Sequence, residues 1–91
     1  MLNYDVHPHL RKILQKLKTK DKIRLKIIKN KMDEIISSTE ETIENYKPLR
    51  YNLKNQKRVH IDKSFVLVFS YDKKEKLITF LDFDHHDNIY K

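Results

Sequence analysis

The chain has 91 residues, with 20 Lys or Arg against 13 Asp or Glu, and its formal net charge is +7. It contains no glycine and no cysteine, which excludes Gly-rich nucleotide loops, disulfide bonds and thiolate metal sites. No apolar run approaches the ~20 residues of a membrane span, and the N-terminus lacks the features of a signal peptide. We expect one soluble, cytoplasmic domain over residues 1–91. Its positive charge should attract polyanions such as nucleic acids; the alternative is that the lysines only keep the protein soluble.

The first half of the sequence predicts a strand followed by helices. Residues 2–6 alternate between apolar and polar side chains, as in a strand. Pro8 suits the first turn of a helix, and Thr19 or Asp21 could cap a second helix after a very short connection. The apolar stripes of these two helices consist of Leu10, Ile13, Leu14 and Leu17, and of Ile23, Ile27, Ile28, Met32, Ile35 and Ile36. We therefore expect an antiparallel helical hairpin, followed by a short turn of helix capped by Thr39.

The second half of the sequence changes to a period of two. Alternation over residues 49–53 and 58–61 predicts two strands with a hairpin tip at residues 55–56. The apolar run 65–69 predicts a central strand that is buried on both faces, and residues 77–83 predict another strand. The predicted fold is α+β, in the order β-α-α-β-β-β-β. Its helical hairpin packs on one face of a mostly antiparallel sheet.

Arg58 and His60 lie two positions apart on a predicted strand, so they project from the same face. Val59 and Ile61 would face the helices, which leaves the other face open to a ligand. A histidine can transfer protons near neutral pH, and an arginine can hold a phosphate through two hydrogen bonds. This pair could therefore attack a phosphodiester bond. The alternative is an exposed strand face that is polar because it contacts water.

The C-terminal sequence DHHDNIY offers a second group of reactive side chains. Its histidines and acids do not follow a known zinc spacing, and adjacent histidines seldom bind one ion, so we expect no metal and no cofactor. His86 as a second acid–base group, with Tyr90 stacking or donating a proton, would suffice if the ribose 2′-OH is the nucleophile. The alternative is a solvated, frayed terminus.

Basic and aromatic residues alternate through the middle of the chain. Cations can follow a phosphate backbone, and aromatic rings can stack on unpaired bases. The candidate phosphate-binding residues are Lys47, Arg50, Lys54 and Lys57. Phe65 is a candidate for base stacking, although core packing is the other interpretation of this ring.

In the order of its predicted elements and in its motifs, the sequence resembles the RelE/ParE superfamily of type II toxins. The resemblance is strongest to the RelE and YafQ branch of mRNA interferases. KPLRYNLKNQKRVH is similar to the "PLKG…R…H" hairpin of that branch, without its glycine. HIDKSFVLVFSYD is similar to its histidine strand and the apolar strand that follows, and FLDFDHHDNIYK to its C-terminal segment. The resemblance covers nearly the whole chain.

The resemblance implies a toxin that enters the ribosomal A site and cuts mRNA by 2′-OH attack, without metal. By position, His60 and His86 match catalytic histidines, Tyr90 the terminal aromatic residue and Arg58 a basic position. Lys47 replaces a further histidine of the YafQ branch, and Ser64 its aspartate. An acidic, partly disordered antitoxin of the RelB type is the implied partner.

Two other classes of function fit the same fold. One is a ParE-like inhibitor of DNA gyrase that catalyses nothing, and the other is a non-catalytic RNA-binding module. The nuclease mechanism alone requires His60 and His86 to lie close together.

Overall fold

The computed structural model of the protein describes residues 2–49 and 55–89. Its elements are β1 (Asn3–Val6), α1 (Pro8–Lys20), α2 (Lys22–Ile36), α3 (Glu40–Asn45), β2 (Gln56–Ile61), β3 (Phe65–Asp72), β4 (Leu77–His85) and α4 (His86–Ile89). The strands form one sheet in the order β1-β4-β3-β2. β1 runs parallel to β4, and β4, β3 and β2 are antiparallel to their neighbours. The predicted α+β fold class is confirmed.

Capping residues set the helix boundaries. His7 caps α1, because its Nδ1 accepts a hydrogen bond from the backbone N–H of His9 at 3.1 Å. Asp21 alone connects α1 to α2, and its carboxylate caps α2 by accepting from the backbone N–H of Arg24 at 3.0 Å. Thr39 caps α3 as predicted. Because one residue joins the first two helices, α2 folds back against α1.

The main core lies between the helices and one face of the sheet. Its buried residues are Leu10, Ile28, Met32, Ile35, Ile36, Ile43, Ile61, Leu67, Phe69, Ile78, Phe80 and Phe83. The prediction that Ile23 belongs to the apolar stripe of α2 was wrong, because its side chain is 77% exposed. At 3.6 residues per turn, Ile23 projects about 140° away from Ile28. Arg24 and Leu25 take the positions nearer to the core.

The opposite face of the sheet carries a second, smaller apolar cluster. Val66 and Val68 of β3 and Ile89 of α4 are its buried members, with Leu49 and Leu81 packed against them. β3 is thus buried on both faces, as predicted. The expectation that this face is uncovered by helices was wrong in part, because the single turn of α4 lies on it.

The segment before β2 runs along the free edge of this strand. The backbone N–H of Arg58 donates to the carbonyl of Lys47 at 3.0 Å, and that of Leu49 donates to the carbonyl of Gln56 at 2.8 Å. Gln56 is therefore the first residue of β2 and not part of a hairpin tip. The rest of the predicted strand over residues 49–53 lies outside the described residues. Within residues 2–49 and 55–89, no helix has the length and apolar character needed to cross a membrane.

Candidate active site

The two predicted site residues of β2 lie on the sheet face opposite the main core. Ile61 is buried in that core at 1% exposure, and Val59 packs against it. Strand alternation then places Arg58 and His60 on the other face. In the sheet, Arg58 pairs with Val68 and His60 with Val66. The two polar residues therefore border the smaller apolar cluster, and His60 is exposed.

His86 lies next to His60 because β4 ends at His85, directly before it. The backbone N–H of His86 donates to the carbonyl of Ser64 at 2.7 Å, which ties the start of α4 to the turn between β2 and β3. The imidazole of His86 stacks on that of His60, with ring centroids 5.8 Å apart and an angle of 23° between the planes. The side chain of His86 is 46% exposed. The two histidines therefore form one solvent-accessible pair.

The short helix α4 is held to the sheet by one apolar and one polar contact. Ile89, which is 9% exposed, packs against Val66 and Val68. The amide nitrogen of Asn88 donates to Asp84 Oδ1 at 3.1 Å, and the same oxygen accepts from the backbone N–H of His85 at 2.7 Å. These contacts fix α4 on the sheet and thereby fix the position of His86, the first residue of α4.

Among the described residues, Asp87 has the carboxylate that lies nearest to the imidazole pair. Its Oδ1 lies 3.7 Å from Nδ1 of His86, and its Oδ2 lies 3.7 Å from Nδ1 of His85. Its backbone N–H also donates to Nδ1 of His85 at 3.2 Å. The side chain of Asp87 is 83% exposed, so water screens both contacts. Over the described ranges, no group of three or more His, Asp or Glu side chains is arranged to hold a metal ion.

A cleft beside the imidazole pair collects the basic residues at the sheet edge. It has a volume of about 350 Å³, and Lys47, Arg58 and His60 contribute to its wall together with Asn45, Tyr46 and Val59. Burial, followed by the charge of Glu34, raises the pKa of Tyr46 above its usual value of 10.0. Tyr46 is therefore a neutral phenol at physiological pH. Two cations and one imidazole thus face a space that could admit a phosphate group.

Two predicted RNA-binding residues lie elsewhere. Lys57 pairs with Phe69 in the sheet, and this register places it on the face of the main core, away from Arg58 and His60. Phe65 pairs with Ile61 on that same face. Its ring stacks on Phe83 with centroids 5.2 Å apart, so core packing is the environment in which this ring is found. The structure does not bring either residue to the imidazole pair.

Three further predicted site residues cannot be placed. Arg50, Lys54 and Tyr90 lie outside the described residues. Their proposed contacts with phosphate or with a base therefore stay predictions.

Arg24 is a basic residue beside Phe65, on the side of the main core, that the sequence interpretation did not select. Its guanidinium carbon lies 4.2 Å from the centroid of the Phe65 ring, and Nη1 is 3.1 Å from Asp21 Oδ2. His85 contacts the edge of the same ring, with centroids 5.6 Å apart. The helical period could have indicated Arg24, because it lies four residues before Ile28 on the buried side of α2.

Fold and site together define a small α+β protein with paired histidines on the sheet face opposite the helical hairpin. A scan against models of known protein families finds no match. A Methanocaldococcus jannaschii protein named "Putative toxin RelE4" is 54% identical over 91 residues, which are all of this chain and 93% of that protein. An uncharacterised Methanosarcina mazei protein is 49% identical over 76 residues, 84% of each chain. The chain belongs to the RelE family of toxins, the toxin components of toxin–antitoxin pairs.

A solved structure supports the fold independently. The solution structure of a conserved hypothetical protein from Helicobacter pylori matches 99% of this chain and 100% of its own, with a TM-score of 0.52 and 24% sequence identity. At this identity the similarity concerns the fold alone. It agrees with the arrangement of helices on a mixed sheet described above.

Proposed function

We propose that this protein is a metal-independent endoribonuclease that cleaves mRNA, in the manner of an mRNA interferase that acts on the ribosome. The observation that carries the proposal is the stacked pair of His60 and His86. Two histidines from different elements meet on an exposed face, beside an arginine and a lysine. Cleavage by a ribose 2′-OH requires a general base and a general acid, and cations that stabilise the phosphate; the pair and its basic neighbours could supply both.

In the proposed reaction, one imidazole removes the proton of the 2′-OH, and the oxygen attacks the adjacent phosphorus. The bond from phosphorus to the 5′-oxygen breaks, and the other imidazole protonates that oxygen. The products are a 2′,3′-cyclic phosphate and a 5′-hydroxyl, so no water or further reactant is consumed. Each proton transfer is expected to contribute about 10²–10⁴-fold to the rate.

The stack restricts where the phosphate can lie. Ring centroids 5.8 Å apart leave no room for a phosphate between the planes. The scissile group must therefore lie across the exposed edges of the two rings, with one ring nitrogen near each of the reacting oxygens. Arg58 lies two residues from His60 on the same face, where it can stabilise the negative charge that develops on the phosphate.

The basic cleft extends this site toward the sheet edge. In the proposal, Lys47 holds the phosphate that neighbours the scissile one, and Arg50 and Lys54 bind other phosphates of the RNA backbone. An acidic antitoxin that neutralises the same cations would block access of RNA to the histidines.

The test is the chemistry of the products. RNA cut by the wild-type protein should carry a 2′,3′-cyclic phosphate and a 5′-hydroxyl, and a 2′-deoxyribose placed 5′ to the cut should abolish cleavage there. On free RNA, EDTA should leave the rate unchanged. Growth arrest without RNA cleavage would contradict the proposal and favour a ParE-like action on DNA gyrase. Cleavage of the 2′-deoxy substrate would contradict the mechanism.

A further inference from the structure

A second cavity lies on the same sheet face as the imidazole pair. Its volume is about 360 Å³, within the range of small-molecule sites. Its apolar lining comes from the smaller apolar cluster: Leu49, Val68, Leu81 and Ile89. Its polar lining consists of His7, His9, Gln56, Asp82 and Asn88. An apolar floor with a few hydrogen-bonding groups at the rim is the usual form of a ligand site.

Asp82 is the one carboxylate among the described residues that line this cavity. Its Oδ1 is occupied, because it accepts from the backbone N–H of Phe83 at 2.8 Å and lies 3.0 Å from Nε2 of His9. Its Oδ2 makes no hydrogen bond to any residue in the described ranges. The carboxylate is therefore oriented by one oxygen and has the other available for a donor in the cavity.

Two side-chain amides complete the polar rim. The amide of Gln56 forms no hydrogen bond to residues 2–49 or 55–89, although the residue is partly buried. Asn88 uses its amide nitrogen on Asp84, which leaves its carbonyl oxygen for a ligand. The rim thus presents two fixed acceptors, on Asp82 and Asn88, and the Gln56 amide, which can both donate and accept.

We infer that this cavity binds a base of the RNA substrate that carries an exocyclic amino group. This inference rests on the proposed function. The flat ring would pack on the apolar floor, and its amino group would donate to Asp82 Oδ2. Carboxylates accept from the amino group of cytosine, and glutamine pairs with the amino group and ring nitrogen of adenine. Uracil has no amino group, and its only base donor, the ring N3–H, lies between two carbonyl oxygens that a carboxylate repels.

The position of the cavity relative to the histidines fits a base near the cut. Gln56 and His60 lie on the same face of β2, four residues apart, which corresponds to about 13 Å along a strand. Arg58 lies between them, where it can contact the connecting phosphate. The cavity therefore selects a nucleotide close to the scissile bond and not a distant one.

The binding test uses NMR with the four nucleoside 5′-monophosphates as probes. Signals of the Gln56 side-chain amide and of the Val68 and Leu81 methyl groups should shift with AMP, CMP and GMP, and markedly less with UMP. Asp82→Asn, which removes the charge and keeps the size, should weaken that binding by about tenfold or more. Asp33→Asn, on the exposed side of α2, is the matched control and should have no effect.

A second variant, in a different residue of the rim, keeps the test valid if Asp82→Asn does not fold. Gln56→Leu should keep the fold and also weaken binding of AMP. Equal shifts with UMP, or unchanged binding in both variants, would overturn the inference.

Cleavage profiles separate this inference from the proposed function. The wild type should disfavour uracil at one fixed position near the cut, and Asp82→Asn should remove that preference. RNA cleavage with no base preference that depends on Asp82 would overturn the cavity assignment and leave the nuclease standing. Nucleotide binding in the cavity without any RNA cleavage would overturn the nuclease and leave only a base-binding cavity.

Discussion

The imidazoles of His60 and His86 stack with their centroids 5.8 Å apart, although one lies on β2 and the other begins α4. The hydrogen bond from the backbone of His86 to the carbonyl of Ser64 brings the two elements together. Two groups that can exchange protons thus share one exposed position beside Arg58. The proposed cleavage chemistry depends on this relationship, and so do the predictions that follow.

The anchoring of α4 is expected to control activity. Ile89→Ala should weaken the packing of α4 on Val66 and Val68, at the lower end of the range for such substitutions, about 2 kcal/mol. RNA cleavage should fall by at least about tenfold, because His86 loses its fixed position. The matched control is Ile23→Ala, since Ile23 is 77% exposed and should change neither activity nor melting temperature. Full activity of Ile89→Ala would show that α4 is not needed to place His86.

Arg58 is expected to act through its guanidinium and not through charge alone. Arg58→Lys keeps the charge but loses the paired donors, and should lower kcat by about 10²-fold with a smaller change in KM. Arg11→Lys serves as the control, because Arg11 is exposed and pairs with Asp5 of β1, at the opposite edge of the sheet from β2. Single-turnover cleavage separates the two parameters. Wild-type kcat in Arg58→Lys would remove this residue from the mechanism.

Tyr71 should make stability depend on pH in the alkaline range. Its hydroxyl donates to Glu40 Oε1 at 2.5 Å, and partial burial together with this bond raises the pKa of Tyr71 from 10.0 to about 12. Since the folded-state pKa is the higher one, the stabilisation is complete below about pH 10 and is lost as the pH rises toward about 12. Thermal denaturation of Tyr71→Phe should lack this component of the pH dependence, whereas the exposed control Tyr4→Phe should retain it.

Lys76 adopts a backbone conformation that glycine tolerates better. Its φ is 52°, in a chain that has no glycine for such positions. Lys76→Gly should raise the free energy of unfolding by up to about 1 kcal/mol, because a left-handed conformation is costly for other residues. Lys74→Gly lies in the same turn without a positive φ and should lower it by about 0.5–1 kcal/mol. Urea denaturation measures both values, and equal effects would contradict the assignment of strain to Lys76.

The period of the sequence predicted much of the fold and of the site. Alternation along β2 correctly assigned Val59 and Ile61 to the core and Arg58 and His60 to the other face. The same alternation, applied strictly, would have assigned Lys57 to the core side as well. The sequence interpretation selected Lys57 by its charge and not by its face, and its contact with RNA stays a prediction.

The place of His86 could not be predicted from local sequence. A single turn of helix is too short to show a period of 3.6 residues. α4 depends on tertiary contacts, namely the burial of Ile89 against β3 and the bond from Asn88 to Asp84. The family resemblance matched His60 and His86 to catalytic histidines, and the residues alone left a frayed terminus as the alternative.

The cavity that contains Asp82 was also beyond prediction from sequence. Its lining comes from residues that are far apart in the chain, from His7 to Ile89, and a register shift in β4 opposite Val68 and Phe69 helps to form its wall. A bulge of this kind depends on strand pairing, which a single sequence does not specify. The structure also pairs Asp82 with His9, a contact that links β4 to α1.

The most direct test of the central claim is mRNA cleavage on translating ribosomes by wild type, His60→Ala and His86→Ala. The account predicts that the wild type cuts and that each variant loses about 10²–10⁴-fold in rate, with melting temperatures close to that of the wild type. It also predicts that the double variant is little worse than the single ones, because the two rings act as a unit. Wild-type rates in either single variant would contradict the account.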